Sequence, residues 1–118
     1  MQDFSGKVIR VLLAEDAPDN QLLIRHYLKS DNFKVSCASD GFEALKLASS
    51  KEFDIILMDV QMPGMDGLEA TRKLREEGYS KPIIALTAHA LQEEIEKSFE
   101  AGCNCLLYTS DAADEGLG

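Results

Sequence analysis

The sequence predicts an α/β fold in which helices cover both faces of a parallel sheet. Short apolar, β-branched runs alternate with segments whose apolar residues recur at helical spacing. Acidic side chains also follow two of the predicted strands, at the edge where open parallel sheets bind their ligands. The 118 residues suit a single domain, and the sequence shows no internal repeat or linker.

The first strand and the first helix are predicted at residues 7–14 and 21–30. The strand sequence KVIRVLLA is rich in β-branched and aliphatic residues and ends at Glu15 and Asp16. Pro18 suits a helix start, because the N–H that proline lacks would have no helical partner there. Four residues of the helix are spaced to form one apolar stripe: Leu23, Ile24, Tyr27 and Leu28.

The second strand and the second helix are predicted at residues 33–38 and 42–50. Asp40 and Gly41 form the turn between them, and Asp is a preferred residue at a helix N-cap. The helix carries its own apolar residues, which are Ala44, Leu45, Leu47 and Ala48.

The third strand, at residues 55–58, is an apolar run typical of a strand that is covered on both faces. Asp59 stops this run, and the turn signals of residues 61–67 indicate a loop. Asp66 is expected to cap the third helix, which ends before Gly78.

The remaining elements are a fourth strand at residues 81–86, a fourth helix at 90–100 and a fifth strand at 104–108. The fourth strand ends at Thr87. The fourth helix has apolar residues at every fourth position, and Gly102 is its expected C-terminal cap.

Composition excludes several classes of protein. With 45% hydrophobic residues, 28% charged residues and no long apolar run, the chain is neither disordered nor a membrane-inserted segment. A net charge of -9 argues against direct binding of nucleic acid. The three cysteines cannot all pair within the chain, so we expect free thiols and a cytoplasmic location.

Glu15, Asp16 and Asp59 are the candidate site. If the first and third strands are neighbours, these carboxylates converge and repel one another. Mg²⁺ prefers hard oxygen ligands and assists phosphoryl transfer, so the cluster predicts a magnesium site in which one carboxylate can be a nucleophile. Thr87 could offer a hydroxyl to a phosphoryl oxygen. In the plainer interpretation, acidic residues that follow strands only cap the next helices.

The pattern resembles the receiver domain of bacterial-type two-component signalling, most closely the receivers of hybrid histidine kinases. The segments that carry the resemblance are LLAED at 12–16, DG at 40–41, DVQMPGMDG at 59–67, PIIALTAH at 82–89 and AG at 101–102. The resemblance implies a flavodoxin-like three-layer sandwich with strand order 2-1-3-4-5.

The resemblance also implies a role for each site residue. Asp59 would accept a phosphoryl group from a histidine kinase or a histidine phosphotransfer protein. Asp16, Asp59 and the backbone carbonyl of Gln61 would bind Mg²⁺, with Glu15 assisting through water. Thr87 would move toward the phosphoryl group. Such a domain is a switch rather than an enzyme, with slow autodephosphorylation at most.

The C-terminal end departs from the family pattern. Thr109 stands where the family has lysine, Ser110 where it has proline, and Leu106 at the usual aromatic position. No fifth helix is predicted, and the sequence from Cys105 onward resembles the conceptual translation of a sequencing adaptor. We therefore expect a receiver domain at 1–104 and a foreign tail at 105–118, comprising an edge strand and a disordered end.

Two other functions remain open on sequence grounds. Replacement of the lysine by Thr109 favours a pseudo-receiver, an interaction module with impaired switching. A Mg²⁺-dependent phosphatase of the haloacid-dehalogenase type would carry a second Asp where this chain has Gln61.

Without a fifth helix, one sheet face is left partly uncovered, so self-association through that face is also expected.

Overall fold

The computed structural model describes residues 8–29, 32–88 and 91–108, which form a five-stranded parallel sheet with four helices. The strand order is β2-β1-β3-β4-β5, as predicted. The strands are β1 (Ile9–Ala14), β2 (Phe33–Ala38), β3 (Ile55–Asp59), β4 (Ile83–Thr87) and β5 (Cys105–Tyr108). The helices are α1 (Pro18–Tyr27), α2 (Gly41–Ser50), α3 (Gly67–Glu76) and α4 (Gln92–Ala101).

The predicted start of α1 was wrong by three residues. The helix begins at Pro18, which occupies the first helical position, with Ala17 as the N-cap. Only half of its predicted apolar stripe packs, because Ile24 and Leu28 are half-buried while Leu23 and Tyr27 are exposed. The predicted residues Lys7, Ser30 and Ala90 lie outside the described ranges.

The main core lies between the sheet and helices α2, α3 and α4. Leu12, Ile56, Met58 and Ile83 project into it from three neighbouring strands and are almost fully buried. Leu74 of α3 packs on the same cluster. None of the helices in the described ranges is long and apolar enough to span a membrane.

The predicted helix caps are confirmed. The Asp40 carboxylate accepts the backbone N–H of Glu43 at 2.8 Å, and the Asp66 carboxylate accepts that of Glu69 at 2.8 Å. Gly102 ends α4 with φ +115°, a left-handed conformation that favours glycine.

The Arg75 guanidinium joins α3 to the start of β4 and the loop before β5. Its nitrogens donate to the backbone oxygens of Gly102 (3.0 Å), Tyr79 (2.7 Å) and Lys81 (2.9 Å), and to the side-chain oxygen of Asn104 (2.7 Å). The same Asn104 oxygen accepts the backbone N–H of Ile83 at 2.9 Å. These bonds tie together three segments at the amino end of the sheet, opposite the acidic cluster.

Replacing Arg75 by Lys is expected to lower the free energy of unfolding by about 2 kcal/mol, because an ammonium cannot reproduce the planar set of donors. Arg72→Lys is the matched control, since Arg72 lies on the same helix and is exposed. Urea unfolding measures both values. Equal and small losses in the two variants would show that the Arg75 bonds contribute little.

Candidate functional site

Glu15, Asp16 and Asp59 meet at the carboxyl edge of the sheet. Strands β1 and β3 are neighbours, with Ala14 in register with Met58, so the residues that follow them lie side by side. One carboxylate oxygen from each of the three acidic residues lies within 4.8 Å of the other two. The convergence predicted from the sequence is therefore present in the structure.

The three carboxylates differ in environment. Glu15 is buried, Asp59 is half-buried and Asp16 is exposed. The Glu15 carboxylate accepts the backbone N–H of Ala17 at 3.0 Å, and the Asp59 carboxylate accepts that of Gln61 at 3.2 Å. Each of these two side chains is therefore held by the loop that follows its own strand.

Burial raises the pKa of Asp59 from 3.8 to about 7, and the negative charge of Glu15 adds to this increase. The backbone N–H of Gln61 lowers the pKa of Asp59, because it donates a hydrogen bond to the carboxylate. A hydrogen bond with Glu15 and the charge of Asp16 raise the pKa further. In the absence of a cation, Asp59 is thus partly protonated near neutral pH. A divalent cation would favour its charged form.

Gly67 lies against the backbone of Asp59, a contact that the sequence reasoning missed. A methyl carbon at Gly67 would lie 2.0 Å from the backbone oxygen of Asp59, so only glycine permits this approach. The N–H of Gly67 also donates to the backbone oxygen of Val60 at 3.0 Å. The Asp-Gly pair at the start of α3 was the available signal, but it was interpreted only as a turn and a cap.

The loop after β3 is held from a second side by α2. A methyl carbon at Gly41 would lie 2.5 Å from the backbone oxygen of Met65. Met62 and Met65, two side chains of this loop, are buried. The Asp59 loop therefore lies between the starts of α2 and α3.

Gln61 and Thr87 lie beside the acidic cluster. Gln61 is exposed and lines a cleft of about 770 Å³ that also includes Asp16. Two cations that the sequence reasoning did not single out, Arg72 and Lys97, line the same cleft. Thr87 is buried at the end of β4, one residue after Leu86, which is in register with Asp59. Thr109 lies outside the described residues.

Comparison with known families and proteins gives a consistent match. The family described as "Response regulator receiver domain" matches residues 11–108. The sensor protein EvgS of Escherichia coli K12 is 43% identical over 100 residues, which cover 85% of this chain and 8% of EvgS. The sensor histidine kinase GacS of Pseudomonas protegens is 39% identical over 106 residues, covering 86% of this chain and 12% of GacS. The chain thus spans about a tenth of the length of these relatives.

Solved structures show the same similarity. The receiver domain of the sensor histidine kinase PA1611 from Pseudomonas aeruginosa has a TM-score of 0.78 and 39% identity, with 93% of each chain covered. That structure is described as having a magnesium ion coordinated in its active site cleft. The chemotaxis protein CheY4 of Vibrio cholerae has a TM-score of 0.82 and 29% identity, with 93% of each chain covered.

Replacing Asp59 by Asn is expected to stabilise the metal-free protein near pH 8 and to have little effect below pH 4. Because the pKa of Asp59 is about 7 in the folded state and 3.8 in its ordinary state, the folded protein binds more protons between these values. Stability therefore falls as the pH rises through this window.

Water partly screens the half-buried Asp59 carboxylate, so the gain in the Asn variant near pH 8 is about 1–2 kcal/mol. Urea unfolding of both proteins with a chelator, at several pH values across the window, measures the difference. A difference that does not change with pH would contradict the assignment to Asp59.

Proposed function

The chain belongs to the response regulator receiver domain family, and we propose that it accepts a phosphoryl group on Asp59 in a two-component phosphorelay. The observation that carries the proposal is the position of Asp59 within a cluster of three carboxylates at the carboxyl edge of the sheet. A lone surface aspartate would be a poor acceptor, because nothing near it would bind a cation that offsets the phosphoryl charge.

The residues of the cluster fit Mg²⁺. The cluster presents carboxylate oxygens, which are the ligands that Mg²⁺ prefers. The pKa of Asp59 is raised, and a nearby cation would lower it. Asp16, Asp59 and the backbone carbonyl of Gln61 would hold the ion, and Glu15 would assist through water. When bound, Mg²⁺ supplies positive charge that offsets the charge on the phosphoryl oxygens.

Asp59 is the nucleophile in the proposed transfer. A carboxylate oxygen of Asp59 forms a bond to phosphorus as the bond between phosphorus and the donor's histidine nitrogen breaks. The electron pair of the broken bond remains on the imidazole, and the product is an aspartyl phosphate. Gly67 lies against the backbone oxygen of Asp59, so the strand end that carries the acceptor is closely packed on the start of α3.

Thr87 is the proposed link from the site to the rest of the domain. Its hydroxyl would donate to a phosphoryl oxygen, and the strand that it ends leads into α4. A shift of Thr87 toward the phosphoryl group would therefore alter the surface formed by β4 and α4. In this function the domain is a switch that carries one phosphoryl group, on Asp59. Its own removal of that group is slow at most.

The proposed donor is a phosphohistidine of a histidine kinase or a histidine phosphotransfer protein, because the relatives include sensor histidine kinases. We infer a cytoplasmic location from the three free thiols, Cys37, Cys103 and Cys105. Direct contact with nucleic acid is disfavoured by the net charge of -9.

A pseudo-receiver is the second candidate, and the replacement of the family lysine by Thr109 favours it. Without a cation at this position, the phosphoryl charge has one fewer stabilising partner. The two candidates differ in one measurable property, which is whether Asp59 acquires a phosphoryl group.

Incubation with Mg²⁺ and phosphoramidate is expected to add the mass of one phosphoryl group to the intact chain. Asp59→Asn is expected to abolish the adduct, because an amide is not a competent nucleophile here. Asp54→Asn is the matched control, since Asp54 directly precedes the amino end of the same strand, and it is expected to keep the adduct. Intact-mass spectrometry measures the adduct on the unaltered chain and on both variants. An adduct that persists in Asp59→Asn would contradict the assignment of Asp59 as the acceptor. The absence of an adduct on the unaltered chain would favour the pseudo-receiver.

Asp16→Asn is expected to weaken Mg²⁺ binding at least tenfold, and Glu15→Gln is expected to weaken it less. Asp16 is the proposed direct ligand, whereas the Glu15 carboxylate is buried and already accepts a backbone N–H. Titration calorimetry with MgCl₂ measures both affinities. Equal losses in the two variants would contradict these roles.

A further inference from the structure

The cleft at the carboxyl edge of the sheet extends beyond the acidic cluster. Asp16 lines it, and one carboxylate oxygen of Asp16 lies within 4.8 Å of one of Asp59. The cleft continues between helices α3 and α4, where Arg72 and Lys97 line it. We call this second part the cationic end. The volume of the whole cleft, about 770 Å³, is typical of small-molecule sites and exceeds what a phosphoryl group alone requires.

Helical spacing places one cation from each helix in the cleft. On α3, Arg72 follows Leu68 by four residues, and on α4, Lys97 follows Glu94 by three. Residues at these spacings lie on the same side of a helix, and all four of these side chains line the cleft. The cationic end is therefore formed by two neighbouring helices, each of which contributes one positive charge.

The protein does not balance the charges of the cationic end. Neither Arg72 nor Lys97 forms an ion pair within the described residues. Of the described carboxylates that line the cleft, Asp16 belongs to the acidic cluster, and Asp66 caps the start of α3. Glu94 is left to offset two cations. The cationic end therefore has a net positive charge, although the chain as a whole carries -9.

We propose that Arg72 and Lys97 bind a second anionic group of a phosphodonor. The chain would then take, in addition to phosphohistidine, small acyl phosphates that carry a negative charge remote from the phosphoryl group. The inference rests on the proposed role of Asp59 and specifies a class of small-molecule donor for the same site.

The transfer from such a donor has a simple balance. A carboxylate oxygen of Asp59 bonds to phosphorus as the bond between phosphorus and the acyl oxygen breaks. The electron pair of that bond leaves with the acyl oxygen, so the products are an aspartyl phosphate and a free carboxylate. Arg72 and Lys97 take no part in these bond changes, because they hold the other end of the donor.

The overall charge of the chain predicts the opposite preference. A net charge of -9 repels anions, so an added carboxylate on a donor would by itself slow the encounter with the site. Charge-assisted hydrogen bonds from a guanidinium and an ammonium would reverse this effect within the cleft. A reaction that becomes faster when the donor gains negative charge would therefore report these two side chains.

Benzoyl phosphate and its meta- and para-carboxy derivatives test the proposal on the whole chain in the presence of Mg²⁺. The rigid ring keeps the carboxylate away from the acyl phosphate and presents it at two different distances. At least one derivative is expected to phosphorylate the chain about fivefold faster than benzoyl phosphate at subsaturating concentration. Intact-mass spectrometry measures the initial rates. Added NaCl is expected to reduce the preference, because it screens charges that are exposed to water.

Arg72→Gln and Lys97→Gln are each expected to lower the ratio of the rate with the carboxylated donor to the rate with benzoyl phosphate. In the double variant the carboxylated donor is expected to become the slower one, because repulsion by the rest of the chain remains. Lys73→Gln is the matched control. Lys73 is an exposed neighbour of Arg72 that does not line the cleft, so its replacement removes the same charge and is expected to keep the ratio. Circular dichroism of each variant checks that the fold is retained.

Phosphoramidate, which has no second anionic group, distinguishes failure of this inference from failure of the proposed function. An adduct from phosphoramidate without any preference for the carboxylated donors would overturn the inference and leave the role of Asp59 intact. A preference that Lys73→Gln removes as strongly as Arg72→Gln would also overturn it, because the effect would then follow from total charge. The absence of an adduct with every donor would overturn the proposed function and this inference together.

Discussion

The repulsion among three carboxylates at one sheet edge is the constraint on which the functional features of this domain depend. The order of the strands places Glu15 and Asp16 beside Asp59, with one carboxylate oxygen of each residue within 4.8 Å of the other two. Burial raises the pKa of Asp59, the half-buried member of the cluster, and the neighbouring negative charges raise it further. A site in this state gains free energy from a cation, so its affinity for Mg²⁺ would come from the fold as much as from the ligands.

The two ends of the sheet are built differently. At the amino end, the Arg75 guanidinium joins backbone groups of several loops, and its charge is used in hydrogen bonds. At the carboxyl end, glycines let two helices approach the loop after Asp59 closely, and charged side chains are left facing a cleft. The amino end therefore stabilises the fold, whereas the carboxyl end holds side chains whose charges the fold alone does not neutralise. This division is common in parallel sheets, where ligands bind outside the carboxyl ends of the strands.

The sequence predicted the structural features that depend on residues close together in the chain or on the alternation of strands and helices. The order of elements and the caps at Asp40 and Asp66 follow from patterns within a few residues, whereas the convergence of the acidic residues also required β1 and β3 to be neighbours. The strand order itself came from the resemblance to receiver domains. Gly67 and Arg75 were missed because their roles depend on contacts between distant segments. Arg75 donates to Gly102, 27 residues away, and no periodicity marks such a pair.

Helix α1 is attached to the acidic cluster mainly at its start. Its start is attached to the site, since Glu15 accepts the N–H of Ala17 through its carboxylate and the side-chain amide of Gln21 through its backbone oxygen. Its remaining residues make a weaker attachment, because α1 has no buried residue, whereas α3 has five. Among the described helices, α1 is therefore the one whose position depends most on its contacts with the acidic site.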